Sequence, residues 1–174
     1  MTANSIPRPD ASEYIPYYGK YVALVPDGDL LVILRDQARD TARLLRGGAD
    51  HADFAYEPGK WTVKEVVGHL IDGERIFTHR ALRFARGDAT PLPGFDENAY
   101  VPAGKFGRRS LADLTEELGA VRAATIEFAR HLDAEDTARR GSANGHEITV
   151  RALLYITAGH ELHHAALLRE RYGL

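Results

Sequence analysis

The clearest indication of architecture lies near the end of the chain, in residues 149–172, which read TVRALLYITAGHELHHAALLRERY. Apolar residues recur there at helical spacing, and Thr149 is suited to cap a helix over about 150–172. His160 and His164 fall on the inward stripe of this helix, four residues and about 40° apart around its axis, so their imidazoles can converge on one point. A convergent pair favours a metal site over two core histidines that bond to nearby carbonyls or carboxylates.

Three amphipathic segments upstream predict three more long helices. The first begins at Asp29 and ends at Gly47-Gly48, the second runs from Val63 to Gly87 after a capping box of Thr62 and Glu65, and the third follows Ser110 and ends near Asp133. The segments 88–109 and 139–147 are rich in proline, glycine or other turn residues and predict loops. No alternating run is long enough for a sheet, so the predicted fold is all-α, a four-helix bundle.

The first 28 residues differ in character from the rest. Four prolines and Gly28 lie around four tyrosines there, a pattern too broken for a long helix yet too aromatic for a free tail. We predict an extended N-terminal arm over 1–28 that packs on a single four-helix-bundle domain over 29–174.

Composition narrows the classes of function. The net charge is −3, from 22 basic and 25 acidic residues dispersed along the chain, so nucleic acid is not an expected partner. The chain has no cysteine, so a metal must be held by nitrogen and oxygen ligands. No leader-like start and no run of about 18 apolar residues occurs. We expect a soluble cytoplasmic protein without a membrane partner.

A metal site on the last helix needs a ligand from elsewhere, and His69 on the second predicted helix is the candidate. Gly73 lies one turn later, where a missing side chain leaves room for an ion, water or substrate. Asp72 has three open interpretations: a fourth ligand, an orienting partner for an imidazole, or a solvated charge. The working hypothesis is a site of three histidines, His69, His160 and His164.

Other polar residues near these histidines have weaker claims. His163 lies about 100° around the helix from His164, so it should miss the same ion. Glu74 is more suited to an ion pair or a buried bond to an arginine than to metal binding. Asp96 and Glu97, in the loop before the third long helix, can reach the mouth of a site, although acidic loop residues are usually solvated.

The string His160-Glu161-Leu162-His163-His164 also satisfies the zinc-protease pattern, in which the glutamate acts as general base. Such enzymes commonly take their third ligand from a later segment, and here only the last turns of the same helix follow. No edge strand for a peptide substrate is evident either. A protease therefore ranks below a site inside a bundle.

Several stretches, in their order and spacing, resemble the DinB superfamily and its YfiT-like group. They are Tyr14 to Pro26, PGKWTVKE at 58–65, HLIDGE at 69–74, TPLPGFD at 90–96 and GHELHH at 159–164. The resemblance implies a four-helix bundle, His69, His160 and His164 as ligands of zinc, nickel or a similar divalent metal, and often a homodimer. The chain departs from many relatives after His164, where Ala165-Ala-Leu-Leu replaces a Gly-Gln pair, so substrate contacts do not carry over.

The resemblance implies hydrolysis or metal-dependent thiol transfer as the reaction. Our first hypothesis is a metal-dependent hydrolase or thiol transferase that acts on a small-molecule substrate. A hypothesis from another class is a dimeric bundle that binds a metal or a small ligand without turnover. An exchangeable water beside a pocket would favour the enzyme, and a closed, dry site would favour a structural role.

Overall fold

The computed structural model describes residues 6–174, so the first five residues of the predicted arm lie outside the described part of the chain. Four helices are long, and shorter elements connect them. In chain order the elements are α1 (Gly19–Val22), α2 (Leu30–Gly47), α3 (Val63–Ala85), α4 (Glu97–Gly104), α5 (Leu111–Ala129), α6 (Ala134–Ala138), β1 (Arg140–Ala143), β2 (His146–Thr149) and α7 (Val150–Tyr172). The prediction of an all-α four-helix bundle is confirmed.

All four long helices begin where capping residues predict. The side chains of Asp29, Thr62, Ser110 and Thr149 each accept a hydrogen bond from a backbone N–H in the first turn of the helix that follows. At the start of α3 the capping box is complete, because Glu65 also accepts from the Thr62 N–H at 2.8 Å.

The third long helix is shorter than predicted. It ends at Ala129, whereas the apolar pattern places its end near Asp133. Asp133 instead caps α6, because its carboxylate accepts from the Asp136 N–H at 2.8 Å. A strong capping residue therefore starts a new helix where apolar periodicity alone continues the old one.

Successive long helices are not neighbours around the axis of the bundle. Helix α3 packs against α5 and α7, and α2 packs against the same two helices. Helices that are consecutive among the four long ones, α2 with α3 and α5 with α7, therefore occupy diagonal corners. The connections 48–62 and 130–149 cross the ends of the bundle to reach those corners.

A short hairpin corrects the prediction that the chain contains no sheet. Strands β1 and β2 pair antiparallel, with Arg140 opposite Thr149, and Leu92 adds a parallel bridge to Ala143. The turn is Asn144-Gly145, where both residues have positive φ, the conformation that two-residue hairpins require. The Asn-Gly dipeptide indicates a hairpin, and a search for apolar periodicity alone does not detect it. The predicted loop 88–109 likewise contains α4.

Residues 6–28 lie along α7 and the hairpin. Arg8 donates to the carbonyl oxygens of Val22 at 2.8 Å and Val25 at 2.6 Å, which folds this segment back on itself. Helix α1 packs on α7 at Gly159, where a Cβ atom would lie 2.0 Å from the Tyr21 carbonyl oxygen. Only glycine allows the backbone to approach so closely.

Within residues 6–174, no helix combines the length and apolar character needed to cross a lipid bilayer.

Glu13 joins the N-terminal segment to the start of α7 and should make stability depend on pH. Its buried carboxylate accepts from Arg151 Nε at 2.6 Å and from the Thr149 hydroxyl at 2.7 Å. Burial alone raises the pKa of the Glu13 carboxyl, but these hydrogen bonds, one from the Asp10 N–H and the charge of Arg151 outweigh it and lower that pKa to about 2. The stabilisation is therefore complete above the ordinary pKa of a glutamate and is lost as the pH falls towards 2.

We expect Glu13→Gln to lower the free energy of unfolding by about 2 kcal/mol at pH 7 and by clearly less at pH 3. Urea denaturation of both proteins at the two pH values measures the difference. Glu57→Gln, at an exposed position, is the control and should change neither value. An equal loss at pH 7 and pH 3 would show that the charge of Glu13 contributes nothing.

Candidate metal centre

Helices α3 and α7 bring the three predicted histidines together. His69, His160 and His164 each offer a ring nitrogen, and these nitrogens all lie within 4.8 Å of one another. The Nε2 atoms of His69 and His160 are 2.9 Å apart. All three side chains are buried, so the imidazoles meet inside the bundle and not on its surface.

Aromatic neighbours and one glycine fix the rings. Trp61, directly before the capping box of α3, packs on His69 with ring centroids 4.9 Å apart. His160 lies edge-on between Tyr21 and Phe77, at centroid distances of 5.4 and 5.7 Å. A Cβ atom at Gly73 would lie 3.2 Å from Cε1 of His160, so the glycine leaves room for the imidazole ring of His160.

The donor set suits a divalent transition metal. Burial, the largest cause, lowers the pKa of His69 to about 4 and that of His164 to about 3, and it also lowers the pKa of His160. The imidazoles are therefore neutral at physiological pH, the form that ligates. Nδ1 of His164 is buried and has no hydrogen-bond partner among residues 6–174, which is costly for a polar atom unless something binds the ring. Nitrogen ligands of tetrahedral zinc are about 3.4 Å apart, a value between the 2.9 Å of the His69–His160 pair and the 4.8 Å limit for the three nitrogens.

Other residues considered from the sequence lie outside this cluster. His163 is exposed and packs against Tyr21, as its angular position predicts. Asp72 lies near Arg75 and Glu117, so it is not a fourth ligand. Asp96 accepts from the Asn98 N–H and caps α4.

Two clefts in the described part of the chain reach the cluster through different histidines. The larger one, which we call the arm cleft, has a volume of about 320 Å³ and includes Glu97 and two of the histidines; its lining is Ile15, Tyr17, Tyr18, Tyr21, His69, Phe77, Arg80, Gly94, Phe95, Glu97, Asn144 and His160. The second, the tryptophan cleft, has a volume of about 270 Å³ and is lined by Tyr56, Gly59, Lys60, Trp61, Val66, Asn98, His164, Leu167 and Tyr172. The cluster is therefore accessible to small molecules.

A buried ion cluster lies beside the histidines and contains Arg122. Arg122 binds Glu74 with two hydrogen bonds of 2.8 Å and approaches Glu161 to 2.5 Å. Glu161 also accepts from the Thr41 hydroxyl, and Gln37 lies 3.4 Å from Arg122. Burial on its own lowers the pKa of the Arg122 guanidinium, but the charges of Glu161 and Glu74 outweigh it and raise that pKa. Side chains from all four long helices thus meet at one guanidinium.

This cluster decides between two interpretations made from the sequence. Glu74 pairs with an arginine, as expected from its position on α3. Glu161 is engaged by Arg122 and Thr41, and it lines neither cleft that reaches the histidines. A general base must lie within hydrogen-bond reach of the proton it removes. The geometry therefore does not support the zinc-protease reading.

Sequence reasoning missed two arginines that the structure makes prominent. Arg122 lies one turn after Leu118 on the inward-facing apolar stripe of α5. A charged residue in that stripe was the sequence feature that could have indicated a buried ion pair. Arg80 lies two turns after Gly73 on the same side of α3, and Gly73 faces His160. Both side chains are buried.

Fold and site together define a four-helix-bundle protein with a buried cluster of potential metal ligands between two of its helices. The chain belongs to the DinB superfamily, because the model of that family matches residues 30–168. The resemblance seen in the sequence is thus confirmed.

Comparison with solved structures gives the same architecture. YfiT from Bacillus subtilis, described as a probable metal-dependent hydrolase with an unusual four-helix bundle topology, aligns with a TM-score of 0.66 and 19% sequence identity. The alignment covers 96% of this chain and 94% of that one. None of the curated proteins matches the chain.

Arg122 should be essential for stability. Arg122→Met leaves Glu74 and Glu161 buried without their cation, and we expect it to lower the free energy of unfolding by about 3 to 5 kcal/mol. Chemical denaturation at pH 7 measures the loss. Arg35→Met, at an exposed position of α2, is the matched control and should change stability by less than about 0.5 kcal/mol.

A second variant separates lost charge pairing from lost packing. Adding Glu74→Gln and Glu161→Gln to Arg122→Met removes the unpaired charges and should recover part of the stability. If the triple variant is less stable than Arg122→Met alone, unpaired charge is not the cause of the loss.

Proposed function

We propose that this protein is a metal-dependent enzyme in which His69, His160 and His164 hold one divalent metal, zinc or nickel, at the end of the arm cleft. The observation that carries the proposal is the meeting of three buried, neutral imidazoles from two helices beside an open cleft. A metal held in this way supplies a Lewis acid that makes a water or a thiol reactive near neutral pH. The reaction that we favour is hydrolysis of a small-molecule substrate.

The residues of the arm cleft support this role. Glu97 is the carboxylate among the cleft-lining residues, and its charge acts on His69. We assign it as the general base that accepts the proton of the attacking water. Tyr18, Tyr21 and Phe95 supply apolar walls that limit the access of bulk water to the reacting groups.

A thiol transferase is the second candidate, and the tryptophan cleft favours it. This cleft reaches His164, whereas the arm cleft reaches His69 and His160. Two approaches to one cluster suit a reaction that joins two substrates. A bundle that binds a metal or a ligand without turnover is the alternative from another class.

The remaining expectations from the sequence stay predictions. They are a small-molecule substrate, a homodimer, a cytoplasmic location, and no nucleic-acid or membrane partner.

The ligand assignment predicts metal contents. We expect His69→Ala, His160→Ala and His164→Ala each to lose most of the bound metal, whereas His163→Ala keeps it, because His163 lies outside the cluster. Elemental analysis of protein purified without added metal measures the content. Metal should also raise the melting temperature of the unmodified chain and not that of His160→Ala. Equal metal loss in all four variants would contradict the assignment.

The assignment of Glu97 predicts a loss of activity without a loss of metal. In a screen of nitrophenyl esters and of thiol conjugation to a fluorogenic electrophile, a chelator should abolish turnover and added zinc or nickel should restore it. We expect Glu97→Gln to lower kcat by about 100-fold with metal content unchanged. Glu116→Gln, at an exposed position of α5, is the charge-matched control.

The outcomes distinguish the candidate functions. Turnover of esters alone supports the hydrolase, and thiol conjugation alone supports the transferase. A fully metal-loaded protein that turns over neither class of probe would favour binding without catalysis.

A further inference from the structure

Arg80 lies in the arm cleft at a distance from the histidines. It follows Gly73 by seven residues on α3, which places it on the same side of the helix and about 10 Å further along the axis. Gly73 is the residue that faces His160. Arg80 and two histidines of the cluster therefore line the same cleft, and Arg80 lies two helical turns beyond the glycine that faces His160.

The side chain of Arg80 is buried, and its described partners are neutral oxygen atoms. The residue is only 4% exposed, and within residues 6–174 no Asp or Glu forms an ion pair with it. Its described polar contacts are the Pro93 carbonyl oxygen, 2.7 Å from Nη2, and the side chain of Tyr18. Arginine has five N–H donors, so donors remain for a ligand.

A buried cation without a counter-ion is costly, and this chain avoids it elsewhere. Arg122, the other deeply buried arginine of the bundle, has two carboxylates. Burial lowers the pKa of Arg80, although a guanidinium stays charged at physiological pH. An arginine kept charged in a cleft is best explained by an anion that enters that cleft.

The side chains that line the arm cleft limit the kind of anion that fits there. Tyr18, Phe77 and Phe95 line the cleft, and the Arg80 guanidinium lies 5.9 Å from the centroid of the Phe95 ring. An apolar or aromatic body fits such walls. Glu97 lines the same cleft and would repel a dianion, so a single negative charge is favoured.

We propose that Arg80 anchors a carboxylate subsite, so that the substrate is a small monocarboxylate whose apolar body extends from Arg80 towards the histidine cluster. This inference rests on the proposed function, because it identifies the substrate class of the same site. The planar guanidinium can hold a carboxylate with two parallel hydrogen bonds, and this fixes the substrate's orientation. The end of the substrate that reacts is then the one opposite its carboxylate.

A purely structural role for Arg80 makes a different prediction. Through Pro93 and Phe95, Arg80 also contacts the segment that leads to α4. If that contact were its whole purpose, the charge of a bound ligand would not matter. The central comparison of the test is therefore between a carboxylate and its amide, which differ in charge and hardly in shape.

Calorimetry with the full-length chain provides the test, using 3-phenylpropanoate, the neutral 3-phenylpropanamide and phenyl phosphate as probes. Each probe is titrated into metal-loaded and chelator-treated protein. We expect the carboxylate to bind at least about tenfold more tightly than the amide in both forms, and more tightly than phenyl phosphate. Arg80→Gln should remove the preference for the carboxylate. Arg86→Gln, with the same loss of charge at the exposed end of α3, should retain it.

A conservative variant keeps the test decisive if Arg80→Gln does not fold. Arg80→Lys retains the charge but not the planar pair of donors, so it should reduce the preference severalfold without abolishing it. Arg86→Lys is its control. Far-ultraviolet circular dichroism and melting curves establish that each variant is folded.

Four results would overturn the carboxylate subsite. They are equal binding of carboxylate and amide, a preference that survives in Arg80→Gln, a preference seen only when metal is present, and tighter binding of phenyl phosphate. The proposed function is tested separately, and it fails if the predictions for metal content or for turnover are not met. Chelator-treated protein that still prefers the carboxylate would support the subsite even then.

Discussion

The arrangement of the four long helices depends on the hydrogen bonds and ion pairs made by the guanidinium of Arg122. It lies on α5, binds Glu74 of α3 and Glu161 of α7, and donates to the Leu34 carbonyl oxygen of α2 at 3.3 Å. Hydrogen bonds are directional, so this contact specifies the rotation and height of each helix where apolar packing alone would tolerate slippage. Because Glu161 is adjacent to His160 in the chain, the same contact fixes the orientation of a potential ligand.

The site combines a part built on long helices with a part built from loops and short elements. The histidines come from the two longest helices, α3 and α7, which pack against each other along the bundle. Besides residues of α3, α4 and α7, the arm cleft is lined by the N-terminal segment, by the segment before α4 and by Asn144 in the turn of the hairpin. Rigid elements can hold ligands within bonding range, while loops can change what the cleft accepts.

The sequence predicted the features that depend on local rules. Caps such as Thr62 and the spacing of His160 and His164 depend only on near neighbours, and the structure has them where they were expected. The Asn144-Gly145 hairpin was also encoded locally but was overlooked because its strands are short. The roles of Arg122 and Arg80 could not be predicted from local rules. Arg122 meets two carboxylates and Arg80 meets none among the described residues, and tertiary packing between distant segments decides this difference.

The close crossing of Tyr21 over Gly159 bears on how the molecule is made. The segment that walls the cleft precedes the four long helices in the chain, yet the helix on which it docks follows the other three. Until the ribosome has released α7, residues such as Glu13 and Tyr21 have no surface to bind. During synthesis, Tyr21 can therefore pack against His160 only after α2, α3 and α5 have left the ribosome and have had time to form.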